Sequence, residues 1–169
     1  MGSPLLSGKF LLLSSNKGYE LDAFLEAFAS CSDKGIKTRL MGIVKEGRAL
    51  IVIIGAPNID LNVIADAINS ERRSLKFVRK VRGYSMLCKR VELGPFLTKV
   101  NSDLRQMAPT TKVAVVVDGT EITDSLKEEL IQRTLSGTNV VVDLDEPDIS
   151  IEFFFFWDYF LASTGPSYL

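Results

Sequence analysis

The stretch from Asn139 to Tyr159, NVVVDLDEPDISIEFFFFWDY, constrains the fold more than any other part of the chain. It reads as two strands joined by a sharp acidic turn. The first, Asn139 to Leu144, is a run of valines, β-branched residues that suit a pleated, buried surface. The turn is Asp145-Glu146-Pro147-Asp148, where Pro147 fixes its own φ and pushes Glu146 out of the helical region. The second strand runs from Ile149 to Tyr159. Alternation puts Ile149, Ile151, Phe153, Phe155, Trp157 and Tyr159 on one face, with Phe154, Phe156 and Phe160 on the other. Both faces are apolar beyond Glu152, which predicts a central strand of a covered sheet. A membrane span fails on length, because it needs ~20 apolar residues and this run is broken by Glu152 and Asp158.

The chain before this stretch reads in order as strand, helix, strand, strand, helix, strand. Lys9 to Ser15 is a short apolar strand. Leu21, Phe24, Leu25 and Phe28 then follow the i, i+3, i+4, i+7 spacing of an amphipathic helix over Tyr19 to Cys31, closed by Gly35. Ile36 to Val44 and Ala49 to Ile54 read as strands around a Lys45-Glu46-Gly47 hairpin turn. Ile59, Leu61, Ile64, Ala65 and Ile68 mark a second helix, and Leu75 to Arg90 is extended, with Gly83 as a bend or bulge. That order is the split βαβ, or ferredoxin-like, arrangement. A second unit follows a junction at Gly94-Pro95: a helix with Phe96, Leu97, Val100, Leu104 and Met107, a valine strand from Thr111 to Val117, and a helix from Thr123 to Ser136. Thr123 serves as its N-cap and Gly137 follows its last turn. The expected fold class is α/β (α+β), with an N-terminal ferredoxin-like unit over 1–74, its last strand continuing to about 90, and a second α/β unit with a mixed sheet over 75–169.

Charge is unevenly spread. Residues 1–90 hold 15 Lys+Arg and 8 Asp+Glu, whereas residues 91–169 hold 5 and 13. Such asymmetry points to an anionic partner for the basic part, to mutual attraction of the halves, or to a solvated charged surface. The cations concentrate: Arg72, Arg73, Lys76, Arg79, Lys80, Arg82, Lys89 and Arg90 place 8 of 20 within 19 positions, with Glu71 the one adjacent acid. On an extended segment Lys76, Lys80 and Arg82 project to one side, with Arg79 on the other. A strip of this kind suits a phosphate backbone, because several cations release condensed counterions together. Phe77 and Tyr84 lie within it. Tyr84 is a candidate for stacking on an unpaired base, with a core position as the alternative.

Catalytic constellations are missing. The chain has no histidine, which removes the commonest general base and metal ligand. No Walker loop, GxGxxG, GxSxG or HExxH occurs. The cluster Asp143, Asp145, Glu146, Asp148 does not match a calcium loop and reads as a solvated turn. Cys31 and Cys88 fit small core positions in a reducing cytoplasm. No cofactor, metal or signal peptide is expected.

These residues resemble the THUMP domain family. The resemblance rests on Val140-Val141-Val142, Asp143-Leu144, Pro147 and the apolar strand Ile149 to Phe156. It also rests on KFLLLSSNKGYELDAFLEAF near the start, KFVRKVRGYSMLC with Arg79 at the linking strand's arginine, and WDYFL near the end. It covers nearly the whole chain. Two departures stand out: the proline that often follows that arginine is absent, and Lys112 to Asp118 runs into acid, at Asp118 and Glu121, rather than into basic residues. The resemblance implies a free-standing, non-catalytic RNA-binding module. It would bind the acceptor end of tRNA and present it to a tRNA-modifying enzyme such as the cytidine acetyltransferase. RNA contact is then expected from Arg72, Arg73, Lys76, Arg79, Lys80, Arg82, Tyr84, Lys89, Arg90 and Lys112, with Lys99 and Arg105 as further candidates. No DNA or membrane partner is expected. The alternative is a protein-interaction module whose acidic C-terminal half docks a basic partner.

Overall fold

The computed structural model describes residues 6–55, 60–71 and 74–166. The chain divides into two compact units, one spanning Ser7–Met86 and the other containing Leu87–Leu169. The first unit holds β1 (Leu6–Ser14), α1 (Glu20–Asp33), β2 (Lys37–Lys45), β3 (Arg48–Gly55), α2 (Leu61–Ser70) and β4 (Lys80–Lys89), whose last three residues belong to the second unit. The strand order is β2-β3-β1-β4, with β3 antiparallel to both β1 and β2. This is the ferredoxin-like arrangement expected from the element order. Leu11, Leu13, Ala49, Ile51 and Val81 from the strands pack against Ala23, Ala27 and Cys31 of α1 and Ile64, Ala65 and Ile68 of α2.

Helix α1 departs from its expected orientation. Leu21, Leu25 and Phe28 face solvent, and the buried residues are Glu20, Ala23, Ala27, Ser30 and Cys31. Polar anchors set this roll. Glu20 accepts the Gly47 N–H at 2.8 Å, in a turn where Gly47 has φ +78° and a Cβ would lie 2.8 Å from the Ser15 carbonyl oxygen. The Glu26 carboxylate accepts the N–H groups of Lys76, Phe77 and Val78 at 2.5, 2.6 and 2.8 Å. With both carboxylates committed, the face left toward the sheet carries small side chains, which let the helix approach closely.

Helix α2 is capped by Asp60, whose side chain accepts the Asn62 N–H. The Asn69 amide both donates to the Val81 carbonyl and accepts the Val81 N–H, each at 2.9 Å, tying α2 to β4. Gly83, expected as a bend or bulge, forms no bend. It lies within β4, and an added Cβ there would stand 2.8 Å from the Leu61 side chain, so the glycine makes room for α2.

The second unit contains a single 3-10 turn at Arg90–Glu92, α3 (Leu93–Arg105), β5 (Lys112–Gly119), α4 (Asp124–Leu135), β6 (Val141–Val142), β7 (Ile149–Phe156) and β8 (Tyr159–Pro166). Gly94-Pro95 lies in the first turn of α3 rather than at a junction, a place where proline's missing N–H does no harm. Thr123 caps α4 as expected, accepting the Leu126 N–H. The strand order is β8-β7-β5-β6, with β5 parallel to β6 and β7, and β7 antiparallel to β8, so the sheet is mixed.

The stretch 139–159 is arranged differently from its linear reading. The valine strand shrinks to β6, two exposed residues at the sheet edge. It does not pair with β7, since β5 lies between them. Strand β7 is central and covered on both faces: Ile151 and Phe153, Phe154, Phe155 and Phe156 are all buried. It ends at Phe156, however, and the chain reverses at Trp157-Asp158 into β8, a strand that the continuous apolar run concealed. Phe160 is therefore directly opposite Phe155 and on the same face, with ring centroids 5.5 Å apart. Phe96 of α3 packs edge-on against Phe153 and Phe160.

Candidate nucleic-acid interface

The basic strip begins as irregular chain. Residues 76–79 precede β4, so strand alternation applies only from Lys80 onward, where Lys80 and Arg82 do share a face. The Glu26 carboxylate fills the concave row of amides at 76–78, and the Arg79 N–H donates to the Ser14 carbonyl at 2.7 Å. The backbone is thus held rigid and its donors are used internally, leaving side chains to meet a ligand. Lys76, Arg79 and Lys80 are exposed and Arg82 is half-buried. The Lys76 ammonium lies 5.3 Å from the centre of the Phe77 ring, which stacks on Tyr19. Among the described residues no carboxylate forms an ion pair with Lys76, Arg79 or Arg82.

Glu71, the one acid adjacent in sequence, is engaged elsewhere. It meets the Lys34 ammonium at 2.5 Å and the Ser30 hydroxyl at 2.7 Å, and these two hydrogen bonds, the Lys34 one foremost, hold its carboxyl below the usual range. Arg72 and Arg73 lie outside the described residues. Tyr84 is corrected: it is 1% exposed, a core residue, so no base can stack on its ring.

Farther along, Lys89 and Arg90 are exposed. The Arg90 N–H donates to the Asp158 carbonyl at 2.7 Å, and its guanidinium lies 5.5 Å from the Phe155 ring centre. Lys112 belongs to a different setting. Its N–H donates to Asp148 Oδ2 at 2.9 Å and its ammonium stands 3.9 Å from Asp143, so the acidic loop takes part of its charge. Asp143 in turn accepts the Asp145 and Glu146 N–H groups, which hold its carboxyl below the ordinary value. Lys99 is exposed, whereas Arg105 donates to Asn101 Oδ1 and the Ser136 carbonyl and is tied to the chain after α4.

Further cations lie outside the strip read from the sequence. Lys37, Arg39 and Lys45 are all exposed on β2, the outermost strand of its unit. Their odd-numbered spacing within a run otherwise rich in apolar residues was the available signal. Cys31 and Cys88 are buried, and burial pushes both thiols up, Cys88 to about 11, so neither is poised as a nucleophile. Among the described residues no group of three or more His, Cys, Asp or Glu side chains gathers where a metal could sit. No helix among them is long and apolar enough to cross a membrane.

The fold defines a two-unit α/β protein: a ferredoxin-like unit followed by a mixed-sheet unit. Neither a protein-family profile nor a curated protein matches the sequence. Solved structures are similar in fold. PH1313 from Pyrococcus horikoshii Ot3 is similar over 93% of this chain and 54% of its own, with a TM-score of 0.58 and 11% identity. A 4-thiouridine synthetase, solved in a complex with RNA and bound ATP, matches 94% of this chain and 41% of its own, with a TM-score of 0.46 and 16% identity. TrmN from Thermus thermophilus matches 92% and 45%, with a TM-score of 0.48 and 15% identity. The chain spans about half the length of these structures or less, and at such identities the likeness is one of fold.

Proposed function

We propose that this chain is a non-catalytic RNA-binding module. It binds tRNA at the acceptor end and acts as an adaptor for a tRNA-modifying enzyme, with cytidine acetylation as the reaction served. The observation that carries this reading is the run Lys76, Arg79, Lys80 and Arg82, its backbone held by Glu26 at 76–78, by the Ser14 carbonyl at Arg79 and by β4 beyond, with the neighbouring acid Glu71 committed to Lys34. Cations carried on a fixed main chain bind phosphates without the cost of ordering that main chain, and they read the geometry of the nucleic-acid backbone rather than base sequence. Lys89 and Arg90 extend the same chemistry. The buried free thiols of Cys31 and Cys88 fit a reducing compartment such as the cytoplasm.

The experiment is a titration of the purified protein with total tRNA and with duplex DNA at two salt concentrations. Saturable tRNA binding that weakens steeply with salt is expected, each lost phosphate contact reducing the log–log slope by roughly 0.7 to 0.9. An R79A/K80A/R82A variant that bound tRNA as tightly as the parent would overturn the assignment of the strip.

A further inference from the structure

Trp157, the single tryptophan of the chain, is 62% exposed. It occupies the two-residue turn between β7 and β8 with φ 49°, a left-handed conformation that glycine and asparagine adopt readily and a bulky aromatic does not. The turn therefore holds outward a large aromatic ring where a small residue would relieve the backbone. The ring is not loose. It packs edge-on against Phe156, centroids 5.7 Å apart, and Phe156 stacks on Tyr159, itself 37% exposed. The same turn is bonded to a cationic segment: the Asp158 carbonyl accepts the Arg90 N–H, and Lys89 and Arg90 are both exposed. The acids nearby in sequence are Asp158, exposed, and Glu92, half-buried; at the end of β5, half-buried Asp118 lies opposite Phe154, and exposed Glu121 follows Thr120, whose N–H donates to the Phe155 carbonyl.

We infer that Trp157, supported by Phe156 and Tyr159, is a stacking platform for an unpaired nucleobase, with Lys89 and Arg90 holding the adjoining phosphates. The inference rests on the RNA-binding reading and adds to it a site for single-stranded nucleotides. A planar aromatic face accepts any base, and flanking cations supply the charge that a bare hydrophobic contact with protein would not require.

Because Trp157 is the only tryptophan, its own fluorescence reports the event. The full chain is titrated with a six-nucleotide oligoadenylate and with an abasic oligomer of equal length, and labelled tRNA binding is followed by anisotropy in parallel. Saturable quenching by the oligoadenylate with none by the abasic chain is expected. Trp157→Asn, which suits the left-handed turn and keeps the fold, should weaken binding of an end-labelled oligoadenylate, read by anisotropy for parent and variant alike, about tenfold or more. Absence of quenching, or equal quenching by the abasic oligomer, overturns the platform. If tRNA still binds in that case, and binds the Asn variant equally well, the platform alone is lost. If neither tRNA nor oligoadenylate binds at low salt, the RNA-binding reading is lost with it.

Discussion

Along β7, Ile151 and Phe153 through Phe156 are all buried, whereas along α1 Leu21, Leu25 and Phe28 stand 55, 60 and 43% exposed. Both segments carry clear apolar patterns, yet only β7 hides all of its large apolar side chains from Ile151 onward. The difference lies in what each element has to satisfy besides apolar area. Strand β7 has paired strands on both sides, so its backbone is spent in the ladder and its side chains are free to fill both layers. Helix α1 carries two carboxylates that serve backbone amides of other segments, and those bonds decide its roll. Hydrogen-bond demand offsets hydrophobic periodicity where the two compete, because each part-buried amide left without a partner costs about as much as burying one apolar side chain contributes.

This contrast can be broken or sharpened by substitution. The largest effect is expected from Phe153→Ala, which empties a site touched by Phe96, Phe155 and Phe160 and should destabilise the fold by about 4 kcal/mol in chemical denaturation. Glu26→Ala comes next, at about 3 kcal/mol, since three amides lose a charged acceptor; hydrogen exchange should then rise at Phe77 and Val78. Ala27→Leu adds bulk to the inward face and should cost about 2 kcal/mol, the reverse of what hydrophobicity alone would give.

Glu20 tests the same point through pH. The Gly47 N–H, chief among its backbone donors, holds its carboxyl below the ordinary value. Its contribution is therefore present above the unfolded carboxylate range and lost as pH falls through the folded value. Glu20→Gln should flatten the acid limb of a Tm-against-pH curve, and an unchanged limb would show that Glu20 does not anchor α1. The smallest effect is expected from Leu25→Lys, within about 0.5 kcal/mol of the parent, because this leucine is on the outside.

The same competition explains what could be read from the chain beforehand. Element order, the N-cap at Thr123 and the buried character of 149–156 follow from local pattern, and the ferredoxin-like unit with them. The roll of α1 depended on Glu26 reaching amides fifty residues away, which no local pattern encodes. The reversal at Trp157 was hidden because tryptophan carries no turn signal and the apolar residues continue through it. In the candidate interface, the cations of 76–90 were legible as composition. The burial of Tyr84 and the capture of Lys112 by the acidic loop were not, since both depend on tertiary neighbours.

The outer strands carry a further consequence. Strand β2 has three register breaks against β3 and exposes Lys37, Arg39 and Lys45, and β6 is only two residues long. Each presents a poor template for another extended chain, the first by irregular spacing and charge, the second by brevity. A protein with a run of four phenylalanines is exposed to runaway polymerisation whenever a sheet rim is open. Here β2 and β6 are blunted, so neither should template fibre growth while β7 stays folded.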